Sequence, residues 1–452
     1  MARYVIKRGL DVPIAGAPAP APPDSASVTR AAVVGRDYHE LRPRLAVEAG
    51  QAVRKGEVLV TDARHDGIRL TAPMAGTVAA IHRGERRRLL SVVLEAGAEP
   101  DRQVALAGTA GRHPDRMSDG EIRSLLVESG LWSALRTRPF SRVPRTDSAP
   151  SSIFVTAMNS EPLAPDTEAA MAGREEELEV GLQVLARLTP GLVHVCTAPG
   201  SMVGGRTRGR ISHEEFAGPH PAGLPGTHIH TLDPARRGKE VWHLPAAEAA
   251  AIGRLFSSGD LDTERVISLA GPGVRRPRLL KVRWGAATDA LVRGELEPGA
   301  HRVIAGSVLS GHIASGEETG YLGRHDQQIT VLPEGGKRKK PAWAALGFDV
   351  FSVTRAFMSA FFPRQTYPFD TSTHGAWRPM IPLEAFEDVM PLDVLPTPLL
   401  RALAARDSLR AENLGCLELA EEDLALCTFV DPGKNNWGRA LRRVLSMIEK
   451  EG

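Results

Sequence analysis

The chain has 452 residues, with Lys+Arg 56 against Asp+Glu 54 and a formal net charge of +2. That length predicts roughly two to four cores, and the near-neutral charge excludes the global field of a nucleic-acid binder. Gly 44 and Pro 34 favour short strands and turns, and no uncharged apolar run reaches the roughly 18 residues that a membrane span needs.

The opening MARYVIKRGLDVPIAGAP lacks the apolar segment and small-residue cleavage site of a secretory signal, so a cytoplasmic location is expected. From Arg3 to about Leu94 the sequence reads as short strands. Gly50, Gly56 and Gly76 stand at expected tight turns, with Val53, Val58, Val60, Val78 and Ile81 supplying β-branched strand residues between them. This pattern resembles a biotinyl/lipoyl-type barrel-sandwich. Carriers of that class hold a lysine on the hairpin between the two halves, whereas Glu57 to Ala72 has Asp62, Arg64, Asp66 and Arg69 but no lysine. No nucleophile for amide attachment is present there.

A second unit begins near residue 105. Ser118 and Glu121 form a capping-box pattern ahead of Ile122, Leu125 and Leu126. The run IFVTA (Ile153–Ala157), a helix expected from about Thr167 to Leu188, and the run LVHVC (Leu192–Cys196) make a strand–helix–strand unit and imply a parallel sheet. Strand Val241–Leu244 and helix Pro245–Phe256 repeat the alternation, with Pro245 expected in the first turn and Gly259 past the end. From Arg265 short strands return at Val266–Leu269, Leu279–Val282 and Arg302–Ala305, around a helix at Thr288–Val292, a pattern that suits a β-grasp module. The tail from about residue 336 opens on Lys337, Arg338, Lys339 and Lys340, then Trp343 and a run of phenylalanines, and closes in helices ending at Leu441–Glu449. A basic loop beside clustered aromatics is a docking candidate for a membrane partner.

Familiar catalytic signatures are missing: no dinucleotide fingerprint follows a strand, and there is no Walker A sequence, nucleophile elbow or zincin motif. The loop APGSMVGGRTRGR after LVHVC has Gly200, Gly204 and Gly205 but not the spacing of a phosphate loop, and reads as a turn. Three scattered cysteines, Cys196, Cys416 and Cys427, are too few for an iron–sulfur cluster and fit a reducing compartment. His213, His220, His228 and His230 gather in a Pro- and Gly-rich stretch with no cysteine nearby, which reads as a turn-rich loop and not a metal site.

Long segments spread over nearly the whole chain carry a family resemblance: IKRGLDVPIAGAP, ESGLWSALRTRPFSRVP, FAGPHPAGLPGTHIH, LAGPGV, VMPLDVLPTPLLR and GCLELAEEDLALCTFVDPGK. The chain resembles the A subunits (NqrA) of the sodium-pumping NADH:quinone reductases. The resemblance implies a bacterial six-subunit complex that moves electrons from NADH to ubiquinone and exports sodium ions, with flavins and an iron–sulfur centre carried by other subunits. It implies for this chain a cofactor-free, peripheral place on the cytoplasmic face of the inner membrane, against the membrane-embedded B subunit, and possible partnership with ubiquinone. Distant relatives carry a glycine-rich flavin loop where this chain has GLWSALRTRP (Gly130–Pro139), while the turn Asn159-Ser160-Glu161-Pro162 looks retained. The family usually has a cysteine near Asp431, a departure visible here.

The expectation is therefore an α/β multidomain chain: a lipoyl-like barrel-sandwich over 1–105, a Rossmann-like parallel-sheet unit with a closed cofactor site over 106–260, a β-grasp unit of the soluble-ligand-binding type over 261–335, and a mainly helical docking region over 336–452. Trp132, Arg136, Phe140, His220 and His228 are the quinone-binding candidates, aromatic surface beside hydrogen-bond donors. Two alternatives stand beside this reading: a flavin- or nucleotide-binding oxidoreductase component, and a pure assembly scaffold.

Overall fold

The strand–helix alternation after Ile153 folds, in the computed structural model, into a six-stranded sheet. The structure describes residues 2–451 except 66, 107, 109, 206–208, 336–345, 363 and 364. The strand order is Ala2–Val5, Ile211–Ala217, Val193–Thr197, Ile153–Ala157, Val241–Pro245 and Arg136–Arg138. All neighbours are parallel except the last pair. The central strands IFVTA and VHVCT are almost wholly buried, as strands covered on both faces must be.

The predicted capping box is formed: the Ser118 hydroxyl accepts from the Glu121 N–H, and the Glu121 carboxylate accepts from the Ser118 N–H at 2.7 Å, starting helix Asp119–Glu128. The single helix expected over Thr167–Leu188 is in fact two, Thr167–Met171 and Glu175–Ala186. Gly173 at φ +77° turns the chain between them. The second of these packs on helix Ala246–Ser258, which starts one residue later than expected, with Pro245 as its N-cap and Gly259 closing it at φ +82°. Glycines at their crossing bring the two backbones together. A Cβ on Gly253 would stand 1.7 Å from the Glu177 carbonyl oxygen, and one on Gly181 1.9 Å from that of Ala249.

Two small sheets form the N-terminal sandwich. One runs Arg30–Val34, Leu89–Ala96, Gly76–Arg83 and Ala52–Val53, the other Pro43–Leu45, Val58–Asp62 and Arg69–Thr71. Leu59, Val60, Met74, Val78, Val92 and Leu94 fill the space between them. Gly50 and Gly56 have the positive φ expected of turns, but Gly76 does not. It lies in a strand where a Cβ would meet the Glu95 carbonyl oxygen at 1.9 Å, so close approach and not turning requires glycine there.

A third, six-stranded sheet has the order His312–Ile313, His301–Ala305, Gln328–Pro333, Glu264–Ala270, Arg278–Arg283 and Asp24–Ser25. Helix Thr288–Val292 lies where the sequence predicts it. The C-terminal region is helical around Phe386, Leu399, Leu400, Leu403, Leu441 and Leu445. Its last helix, Trp437–Glu451, buries one stripe and exposes the opposite one. Asp431, fully buried, prepares that helix: its carboxylate accepts from the N–H of Gly433 (2.7 Å), the N–H and side-chain amide of Asn435 (3.2 and 2.8 Å) and the Trp437 indole (3.1 Å).

The first 25 residues run past every other unit. Ala2–Val5 edges the parallel sheet, the Gly9 N–H donates to the Asp388 carbonyl at 3.0 Å, and Val12 enters the C-terminal core. The Gly271 N–H donates to the Gly16 carbonyl at 2.8 Å, and Asp24–Ser25 edges the third sheet before the sandwich begins.

Candidate functional site

In an open parallel sheet, ligands bind beyond the strand C-termini at the point where neighbouring crossovers depart in opposite directions. Here that point lies between Ile153–Ala157, whose chain continues to Val193–Thr197 on one side, and Val241–Pro245 on the other. The crevice there is a cavity of about 50 Å³, room for a few waters, lined among others by Thr156, Met158, Thr167, Glu248, Arg265 and His325. Helix Ala246–Ser258 presents Glu248 into it, and two arginines of the third sheet's unit reach across: Arg265 donates to Glu248 at 2.9 Å and Arg324 at 3.0 Å. Desolvation would raise the Glu248 pKa, but the two guanidinium groups hold it below the usual carboxylate range, so it is ionised. Arg324 also donates to Ser133 at 3.1 Å and lies over the Trp284 ring. Burial, then the charges of Arg136, Arg324 and Arg265, hold His325 well below its ordinary pKa, so its imidazole is neutral.

A second polar cluster occupies the junction of all four units. From the sandwich come Arg36, Asp37 and His39; from the parallel-sheet unit Arg136, Arg138 and Glu161; from the third unit Asp326; from the helices Glu421, Glu422, Asp423 and Arg442. Arg36 pairs with Asp326 at 3.1 Å, and the Asp37 carboxylate accepts from the Arg324 N–H at 2.7 Å. Arg136 donates to the Asp37 carbonyl. Arg138, fully buried, pairs with Glu422 at 2.8 Å and Asp423 at 3.4 Å. Arg442 bridges Glu421 (2.6 and 2.7 Å) and the Phe140 carbonyl (2.7 Å). Water reaches one side: the His39 and Glu421 side chains are 34% and 31% exposed.

Protonation is shared unevenly across this junction. Burial, joined by the Asp326 charge, pushes Asp37 up to about 6. Burial pushes Glu161 up to about 7 even though Ser310 donates to it at 2.7 Å. Burial also raises Asp423 to about 7, Arg138 opposing. Glu421 goes the other way: against desolvation, the hydrogen bonds and charge of Arg442 hold it at about 2. Burial and Arg442 together push His39 down to about 3.

The five quinone candidates divide between core and junction. Trp132 is a core residue, its ring T-shaped against Trp242 at 5.4 Å and its indole N–H donating to the Pro144 carbonyl at 2.8 Å. His228 is fully buried, its Nε2 2.9 Å from the Ala222 carbonyl oxygen and its ring 4.3 Å from that of Phe216. Burial pushes His228 down to about 3 and His220 to about 4, so both are neutral. His220 meets the Ser160 hydroxyl at 3.1 Å, one residue before Glu161. Arg136 and Phe140 stand at the junction, Phe140 half-buried at φ +78° against the helical core. His230 points elsewhere, 2.7 Å from Glu418. Among the described residues no group of three or more His, Cys, Asp or Glu is placed to hold a metal ion. Gly200, Gly204 and Gly205 all take positive φ, as a turn demands.

Lys337, Arg338, Lys339, Lys340 and Trp343 lie outside the described residues. Downstream, Phe348, Phe361, Phe362 and Trp377 are exposed large apolar side chains. Sequence reasoning missed Asp37, Glu248, Arg265, Arg324 and the Glu421–Asp423 run, because each acts on a unit other than its own and no local spacing marks it.

Three family models match the chain: the NqrA N-terminal barrel-sandwich hybrid domain over residues 4–97, the NqrA second alpha/beta domain over 117–261, and the NQRA C-terminal domain over 266–316. The chain is 48% identical over 447 residues to the A subunit of the Na(+)-translocating NADH-quinone reductase of Klebsiella pneumoniae (strain 342), covering 99% of each. It is 46% identical over 448 residues to the corresponding A subunit of Rhodopirellula baltica, covering 99% of this chain and 98% of that one. A solved chain of NAD+-reducing [NiFe]-hydrogenase in the air-oxidized state overlaps 75% of this chain and 67% of its own, at 14% identity and a TM-score of 0.37, a likeness too slight to bear on fold or ligand.

Proposed function

The chain belongs to the family of Na(+)-translocating NADH-quinone reductase A subunits, and from that premise we propose that it is the cofactor-free scaffold of the complex, with the polar junction as its quinone-facing side. As a family member it is one subunit of a translocase. The observation that carries the scaffold reading is the filled strand-end crevice. Glu248, Arg265 and Arg324 stand where a nucleotide's phosphates would need backbone N–H groups, and the space left takes only a few waters. In this reading the parallel sheet is Rossmann-like with its site closed, the third sheet is a β-grasp, and the units divide at about residues 105, 260 and 335.

The test is spectroscopic and calorimetric. The purified chain should show no flavin absorbance and no heat of binding with FMN or NADH. Stoichiometric binding of either would replace the scaffold reading with that of a nucleotide-binding component.

Ubiquinone contact is assigned to the water-reached side of the junction, where Arg136 and Phe140 lie beside His39 and Glu421 and Ser160 links His220 to the turn bearing Glu161. Trp132 and His228, buried against their own packing partners, are left out of that contact. Phe140→Ala in the assembled enzyme should raise the apparent KM for quinone while NADH oxidation by an artificial acceptor stays unchanged; an unaltered quinone dependence counts against the assignment. No helix among the described residues is long and apolar enough to cross a membrane. We take the exposed side chains of Phe348, Phe361, Phe362 and Trp377, downstream of Lys337–Trp343 in the sequence, as the cytoplasmic-face contact with the membrane-embedded B subunit. Replacing Phe361, Phe362 and Trp377 by serine should abolish co-purification with that partner, and normal assembly would locate the anchor elsewhere.

A further inference from the structure

We propose that the cationic stripe of the C-terminal helix rests on the anionic headgroups of the lipid bilayer, a second attachment separate from the aromatic surface. The proposal rests on the reading that the chain works in a sodium-translocating complex, which requires a bilayer beside it.

The helix Trp437–Glu451 buries Trp437, Leu441, Val444, Leu445 and Ile448 on one side. On the other, Arg439, Arg443 and Lys450 recur at helical spacing, with Ser446 and Met447 between them, and Arg406 joins from the C-cap of helix Pro396–Ala405. Together they line an open groove of about 490 Å³. The neighbouring charges are already used: Arg442 is paired with Glu421, and Glu449 with Arg142 at 2.5 Å. Arg439, Arg443, Lys450 and Arg406 have no carboxylate partner among the described residues, although the whole chain carries a net charge of only +2. Four solvated cations on one face, unmatched within the molecule, are complementary to an anionic surface.

A lipid surface fits better than an acidic protein because of what stands at the rim. Leu409 is 76% exposed on the short helix Ser408–Asn413. The Ser408 hydroxyl donates to Glu451 at the end of the cationic helix, which places Leu409 beside the stripe. A protruding aliphatic side chain flanked by arginines is the arrangement that inserts at the headgroup level while the guanidinium groups meet phosphates. Each basic residue near an anionic membrane strengthens partitioning about fivefold, and the effect is screened by salt.

The test uses the full chain and phosphatidylcholine vesicles made with and without phosphatidylglycerol, read by co-sedimentation. Binding should require phosphatidylglycerol and disappear at high salt. The variant Arg439→Gln/Arg443→Gln/Lys450→Gln should lose about a hundredfold in partitioning, while its circular dichroism and its co-purification with the remaining subunits in detergent stay as in the parent. Leu409→Ser should weaken binding several-fold without changing its salt dependence. Equal binding of the parent to neutral vesicles, or undiminished binding of the triple variant, overturns the proposal. So does a parent that ignores anionic vesicles while the triple variant fails to assemble, since the stripe then meets an acidic protein. None of these readouts involves flavin or NADH, so the scaffold reading stands or falls separately.

Discussion

Removing the Glu248 carboxylate should uncouple the parallel-sheet unit from the third sheet's unit. The Glu248 side chain is 6% exposed, and the two arginines it binds are 10% and 3% exposed. Breaking a buried ion set by deleting one partner costs about 3–5 kcal/mol, because the desolvated opposite charge is left behind. In Glu248→Ala two guanidinium groups lose their anion at once, so the upper half of that range is expected, about 4–5 kcal/mol. Glu248→Gln keeps the shape but sets an amide NH2 donor against one of the two guanidinium groups, so it should relieve only a small part of that loss. Adding Arg265→Met and Arg324→Met to Glu248→Ala should recover most of the loss, since no buried charge then remains unpaired. Urea unfolding followed by circular dichroism measures all three, and limited proteolysis reports whether the units separate first. A loss under about 1 kcal/mol in Glu248→Ala would show that water, not the carboxylate, carries the arginines, and would refute the closed-crevice argument.

Asp431→Ala strips the acceptor from a buried indole N–H and two backbone N–H groups, and should cost about 3 kcal/mol in urea unfolding; an unchanged midpoint would mean the turn re-forms without it. Gly253→Ala should cost about 3 kcal/mol or more, because its methyl cannot coexist with the Glu177 carbonyl 1.7 Å away. Native stability of that variant would mean the two helices separate freely. Glu161 is raised from 4.5 to about 7 in the folded chain, so the folded state holds its proton more tightly than the unfolded one. Its contribution is complete below the unfolded value and is lost as pH rises through about 7. Glu161→Gln should therefore flatten the stability profile between pH 5 and pH 8 and gain up to about 3 kcal/mol at the upper end; an identical profile in both proteins would place the titrating group elsewhere.

What could be read from the sequence was what is local. The box at Ser118 and Glu121, the apolar runs at Ile153 and Val193 and the stop at Gly259 are set by neighbours a few residues away, and they stand where periodicity and capping put them. The strand ISHEEFA was not legible, because only two of its residues are buried and its acidic pair suits a loop as well. The break at Gly173 was lost inside an otherwise helical pattern. Gly76 was read for a turn, yet its need for glycine comes from a strand almost twenty residues away. Of the candidate site, Arg136 and Phe140 were marked by composition and do lie at the junction. Glu248, Arg265 and Arg324 were invisible, since a carboxylate on a helix looks solvated until the unit that covers it is known.

The segment Ala2–Ser25, which edges two sheets and touches the helical core before entering the sandwich, has partners that are made much later in the chain. Ala2–Val5 is made well before its strand partner Ile211–Ala217, some two hundred residues further on, and the partner of Asp24–Ser25 is later still. The Gly9 contact waits for Asp388. Such a chain cannot finish its units in the order they emerge: the sandwich can close early, while its leader stays unpaired until almost all the polypeptide has been made.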